Sequence, residues 1–138
     1  MAKKVQVIVF HHEGEPEVLL LRMKADRANG IQNVTGSVDE GESFEIAAKR
    51  ELFEETGIDA TPSPLDLEFK FHDRWDRDVI EKVFYLKLDK KPKAVTISNE
   101  EHEGFLWQSL EKVSERTYLH PSNYEAFILA KQKLVELL

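Results

Sequence analysis

Glu51, Glu54 and Glu55 fall at i, i+3 and i+4 within residues 43–56 (SFEIAAKRELFEET). That segment has good helix formers, no internal glycine or proline, and Gly57 directly after it, which predicts a helix closed by a glycine cap. At about 100° per residue the three carboxylates share an arc of roughly 100°. Phe44, Ala48 and Leu52 overlap the same side, so the acids are expected to face inward. Like charges so spaced destabilise a helix by a few tenths of a kcal/mol per pair, roughly, and burial raises that cost. A hard divalent cation removes the repulsion, because Mg²⁺ prefers carboxylate and phosphate oxygens. The chemistry on offer is then a divalent-cation site that could also meet the phosphate oxygens of a ligand. The helix by itself fits a solvated acidic face equally well, with Arg50 and Glu54 as an ordinary i,i+4 pair.

The preceding loop shifts that balance. Residues 36–42 (GSVDEGE) lead from a short extended piece into the helix, and glycines 36 and 41 permit positive φ and close backbone approach. The combined text is Gly36, five residues, Glu42, seven residues, Arg50-Glu51-Leu52, one residue, Glu54-Glu55, one residue, Gly57-Ile58. It resembles the Nudix box, G-x5-E-x7-R-E-U-x-E-E-x-G-U with U aliphatic, matching all nine specified positions over 23 residues.

The resemblance implies an α/β fold, a Nudix-type α/β/α sandwich with a central mixed sheet, and cleavage of a diphosphate linkage by activated water. It implies Mg²⁺ as cofactor, with Mn²⁺ as the alternative. Glu51, Glu54 and Glu55 match the metal-binding carboxylates, and a backbone carbonyl at Gly36 would add a ligand. Glu42 and Arg50 would orient the loop and the helix acids. Glu51 is one candidate for the proton acceptor. In many relatives the base or an extra ligand lies outside the box. Here Glu100, Glu101 and Glu103 form the pool, with Glu101 favoured for catalysis against the plainer reading of a solvated loop acid.

Outside the box, Asn33-Val-Thr-Gly36, Glu101-His102, Phe105-Leu-Trp107 and Ser122-Asn123 are similar to the dihydroneopterin triphosphate pyrophosphohydrolase group, which also accepts dATP. Ile31 stands where that group tends to have tryptophan. The implied substrate is a nucleoside or dihydroneopterin triphosphate releasing pyrophosphate. A diadenosine polyphosphate and ADP-ribose are the alternatives within the class. A nucleotide-binding module that does not cut would usually carry a damaged box, and this one is intact.

Substrate contacts can be sought among loop cations and aromatics. Arg22, Lys24 and Arg27 could hold phosphate or be merely solvated. In residues 71–75 (FHDRW), Arg74 could bind phosphate and Trp75 could stack a ring or pack on the core. Trp107, in a short apolar run, reads as core, and the five histidines show no zinc spacing and are not read as ligands.

The elements that must position these groups are legible in outline. Residues 5–11 and 18–21 read as a strand hairpin, 22–30 as a surface loop, and 31–35 as an extended piece. Pro62 and Pro64 mark a connection, followed by strands at 65–71 and 79–88, a loop at 90–93 and a short strand at 103–108. A last helix has the Ser122-x-x-Glu125 spacing of a capping box, with Ala126, Ile128, Leu129, Leu134, Val135 and Leu138 as its apolar side.

Composition sets the outer bounds. The chain has 138 residues, 41% hydrophobic and 33% charged, and reads as one domain over 1–138 able to bury its own core. Its longest early apolar run, 7–10, is too short for a signal peptide or a membrane span. The absence of cysteine removes disulfides, thiolate ligands and cysteine nucleophiles and fits the cytoplasm. A formal charge of −7 disfavours a nucleic acid polymer but admits a small phosphorylated metabolite whose charge a cation neutralises. A monomer or homodimer is expected.

Overall fold

A computed structural model describes residues 1–26 and 30–138. Arg27 lies outside the described residues. The fold is built around β1 (Ala2–His11), whose residues from Val5 to His11 are all buried. A strand covered on both faces reads as a continuous apolar run, which is why VQVIVF lacks polar alternation. Val5, Val7 and Val9 pack on one side with Ala47, Ala48 and Leu52 of helix α1 (Phe44–Thr56). Ile8 and Phe10 pack on the other with Ala126, Phe127, Ala130 and Leu134 of helix α2 (Pro121–Leu137). The sheet is thus sandwiched between two helices, the layered α/β arrangement implied by the resemblance.

The sheet is mixed. β1 runs parallel to β6 (Asp78–Leu88) from Ala2↔Val79 to His11↔Leu88. Its other edge is shared: β2 (Glu17–Met23) pairs with its end at Phe10↔Val18, and β4 (Val34–Ser37) with its beginning at Lys4↔Ser37 through Val7↔Val34. β2 also carries β3 (Ile31–Gln32) and β7 (His102–Ser109), while β5 (Ser63–His72) closes the far edge against β6.

Several sequence expectations need correction. Arg22 and Met23 belong to β2, not to the loop. Residues 31–35 are not one extended piece: β3 and β4 are separated at Asn33, whose backbone N–H donates to Asn123 Oδ1 at 2.8 Å. Pro64 lies inside β5, as an edge strand tolerates. The capping box does not form. His120 is the N-cap, with no side-chain hydrogen bond, and Pro121 takes the first turn, where its missing N–H costs nothing. The inward face of α2 is set by Phe127 and Ala130, leaving Ile128, Val135 and Leu138 exposed.

Candidate functional site

Local chemistry fixes the ends of α1. The Ser43 hydroxyl accepts from the Ile46 N–H at 3.1 Å, and Gly57 closes the helix at φ 75°. The preceding loop turns at Gly41, with φ 85°. Gly36 does not adopt positive φ, so its requirement is different: a Cβ there would collide with the Glu51 carboxyl group. Glycine brings the β4 backbone directly against that acid.

Arg50 joins loop and helix. Its Nε donates to Glu42 Oε2 at 2.7 Å, and Nη2 donates to Glu42 Oε1 at 2.9 Å and the Ser37 carbonyl at 2.8 Å. Nη1 donates to Glu51 Oε1 and Glu54 Oε2, both at 3.0 Å. These hydrogen bonds hold the Glu42 carboxyl below its usual range and push the guanidinium further up. Lysine would keep the charge but lose the planar fork. Arg50→Lys is expected to lower stability by about 1–2 kcal/mol, measured by thermal melting.

The three helix acids do not share one environment. Glu55 is 2% exposed, whereas the Glu51 side chain is 13% exposed and that of Glu54 54%. The roughly 100° arc is wide enough that its Glu54 edge reaches solvent while its Glu55 edge turns into the protein. The inward expectation therefore holds for Glu55, partly for Glu51, and not for Glu54. Burial, and then the carboxylates of Glu51 and Glu101, hold Glu55 well above the usual carboxyl range. Burial also raises Glu51, with Arg50 opposing.

Glu101 arrives from the segment before β7. Of the three downstream acids, it is the one whose carboxylate joins the helix acids, whereas Glu100 and Glu103 are exposed. Single donor atoms from Glu55, Glu101 and His102 lie within 4.8 Å of one another, and His102 Nε2 is 3.5 Å from Glu55 Oε1. Among the described residues, neither Glu55 oxygen accepts a hydrogen bond. A buried carboxylate without a donor, crowded by two others, is costly unless a cation joins it. The oxygen-rich donor set suits a hard divalent ion, and the histidine also admits a transition metal.

Glu51, Gly36 and Glu101 lie at one part of an open cleft of ≈ 1210 Å³. One wall is the β5–β6 hairpin, with Phe69, Phe71, Arg74, Trp75 and Arg77, and another is the start of α2. Trp75 is 58% exposed, so it is not packed on the core. The Arg74 guanidinium lies 4.3 Å from its ring centroid and that of Arg77 5.5 Å. Arg77 is held by Asp73 at 2.8 Å, and Asp73 also accepts the Trp75 N–H at 3.0 Å. Arg22 is exposed on β2 and does not line this cleft.

Two positions were missed by sequence reasoning. His102 has no motif spacing; its only signal was adjacency to Glu101. Glu81, 6% exposed and on the cleft wall, sits at period two between buried Val79 and Val83 of β6. An acid at an inward strand position was a readable signal.

The sequence profile of the NUDIX domain family matches residues 2–129. No curated protein sequence matches the chain significantly. Among solved structures, a C. elegans Ap4A hydrolase in a binary complex superposes with a TM-score of 0.81 at 21% identity, 99% of both chains being covered. The E. coli dihydroneopterin triphosphate pyrophosphohydrolase gives 0.77 at 24%, covering 91% of both. The NUDIX domain of Shewanella oneidensis NrtR complexed with ADP ribose gives 0.78 at 19%, covering 96% of this chain and 87% of that one. At such identities the likeness is one of fold.

Proposed function

Since this chain belongs to the NUDIX domain family, we propose that residues 1–138 act as one catalytic domain that hydrolyses a diphosphate linkage in a small nucleotide-like substrate, with Mg²⁺ (or Mn²⁺) as cofactor. The observation that carries this reading is the Glu55 carboxylate: buried, without a hydrogen-bond donor among the described residues, and faced by Glu51 and Glu101. Those three acids would hold the cation, with the Gly36 backbone beside them and Glu54 on the outer side. When bound, such an ion neutralises phosphate oxygens and acidifies water.

The chain's own groups supply the rest. Arg50 fixes the Glu51 carboxylate through Nη1 and ties it to the loop through Glu42 and Ser37. Glu101, half-buried on the cleft, is the candidate to accept the proton of the attacking water. On a nucleoside or dihydroneopterin triphosphate, that oxygen bonds to the α-phosphorus, the α–β bridging bond breaks, and pyrophosphate leaves. Arg74 can meet phosphate and Trp75 the flat ring, since both line the same cleft. Among the described residues no helix is long and apolar enough to cross a membrane, and we place the activity in the cytoplasm, in a monomer or homodimer.

The test is product analysis of purified protein with Mg²⁺ against GTP, dATP, dihydroneopterin triphosphate, diadenosine tetraphosphate and ADP-ribose. Pyrophosphate release from triphosphates, abolished by EDTA, is expected. Cleavage confined to the dinucleotide or ADP-ribose would reassign the substrate. Tight nucleotide binding by calorimetry with no turnover would replace the enzyme with a non-cutting module.

A further inference from the structure

The buried polar side chains between the sheet and α2 form a directed chain. The Tyr118 hydroxyl donates to Asn33 Oδ1 at 3.0 Å, Asn33 Nδ2 donates to Gln6 Oε1 at 2.9 Å, and Gln6 Nε2 donates to Glu81 Oε1 at 3.0 Å. An amide offers its oxygen on one side and its N–H₂ on the other, so each link fixes the orientation of the next. The chain therefore ends by delivering a donor to one oxygen of Glu81. A carboxylate accepts at both oxygens, and this side chain lies on the wall of the cleft already described.

Its surroundings suit a flat heterocycle. Glu81 pairs across the sheet with Phe69 on β5 and with Lys4 on β1, and Lys4 pairs in turn with Ser37 on β4. Two strand spacings put Glu81 about 10 Å from the β4 backbone that abuts the helix acids. Phe69 and Phe71 on the same cleft offer apolar surface to a ring. Burial raises the Glu81 carboxyl above its usual range, with Gln6 and Lys4 opposing. A ring that brings N–H groups stabilises this acceptor, whereas a ring that brings a lone pair leaves it desolvated against another acceptor.

We infer that Glu81 selects the substrate's ring, taking the adjacent N1–H and 2-amino donors of a guanine-type edge in preference to adenine, which offers an unprotonated N1 there. This rests on the hydrolase reading above. Glu81 is a specificity residue, apart from the acids that would hold the cation. The rest of the chain, from Gln6 to Tyr118, positions it.

The experiment compares kcat/KM for GTP, ITP and ATP in the wild type and in Glu81→Gln. Wild type is expected to follow GTP over ITP over ATP. Loss of the 2-amino group should cost about tenfold, and GTP should exceed ATP by roughly 100-fold. In Glu81→Gln the chain's polarity turns the substituted amide's N–H₂ toward the cleft. GTP should then fall roughly 10- to 100-fold, while ATP should rise by a few-fold, roughly, because the amide N–H₂ can donate to the adenine N1 that the carboxylate opposed. The wild-type series needs no variant to fold, so it stands alone. Equal use of ATP and GTP by wild type, or an equal loss on all three in the variant, would overturn the role of Glu81 and leave the hydrolase reading intact. No cleavage of any of the three would overturn the role of Glu81, and the hydrolase reading falls with it only if dihydroneopterin triphosphate, diadenosine tetraphosphate and ADP-ribose are also left intact.

Discussion

Glu55→Gln is expected to lower kcat by about 10³-fold and at the same time to raise the melting temperature of the cation-free protein by roughly 2–5 °C. Both effects come from one side chain. Glu55 is buried, lacks a hydrogen-bond donor among the described residues, and faces two further carboxylates. As a charged group in the empty protein it is destabilising, and a neutral amide of the same shape removes that cost. With the charge goes the ability to hold a cation beside the substrate. Wild type should also gain melting temperature when Mg²⁺ is added, because a ligand of the folded state stabilises it, and the variant should gain much less.

The pH dependence has a definite sign. Burial and like charge raise the folded-state pKa of Glu55 above the ordinary 4.5. The folded protein thus binds more protons than the unfolded chain, and this group's contribution falls as pH rises from about 4.5 through the folded-state value. The variant's thermal advantage over wild type should accordingly grow with pH across that window. An advantage that is constant with pH, or a variant that melts lower throughout, would show that Glu55 is satisfied without a cation.

Gly36→Ala is expected to lower kcat by about 100-fold. The added methyl would occupy the position of the Glu51 carboxyl group, so that acid must move or β4 must shift away from α1. A displacement on the order of 1 Å at a reacting centre costs about this much rate, even where binding survives. The backbone at Gly36 has no positive φ, so alanine adds no conformational strain of its own. Stability should fall only modestly, and the control is Gly41→Ala. At φ 85° that change strains the backbone but meets no neighbouring atom, so it should lower melting temperature more than its effect on rate would suggest. If Gly36→Ala keeps wild-type kcat, the close approach of Glu51 to the β4 backbone has no part in turnover.

The comparison of sequence with structure divides along the range of the interactions. Helix α1, its glycine cap and the Arg50–Glu54 pair were readable because each is settled within about one turn of chain, although the helix begins at Phe44, with Ser43 as its cap and not its first residue. The nine fixed positions from Gly36 to Ile58 were readable for the same reason: a loop and the helix it feeds are contiguous. Local pattern failed where packing decides. The spacing of Ser122 and Glu125 suited a capping box, yet Pro121 had already begun the helix. Ile128 and Val135 looked like core, yet the phase of α2 is set by Phe127 against Phe10 and Tyr118.

By itself the sequence determined that a loop–helix unit bearing Glu42, Arg50, Glu51, Glu54 and Glu55 exists, with three acids spaced closely enough on one helix for their charges to repel. Only the tertiary structure decided which acids matter to one another. It turned Glu55 inward and Glu54 outward, brought Glu101 and His102 from some 50 residues away, and put Glu81 on the cleft that holds Trp75 while leaving Arg22 outside. The physical reason is that a carboxylate's state depends on the dielectric and charges around it. Those are fixed by which faces of sheet and helix meet, a long-range outcome that no local spacing encodes.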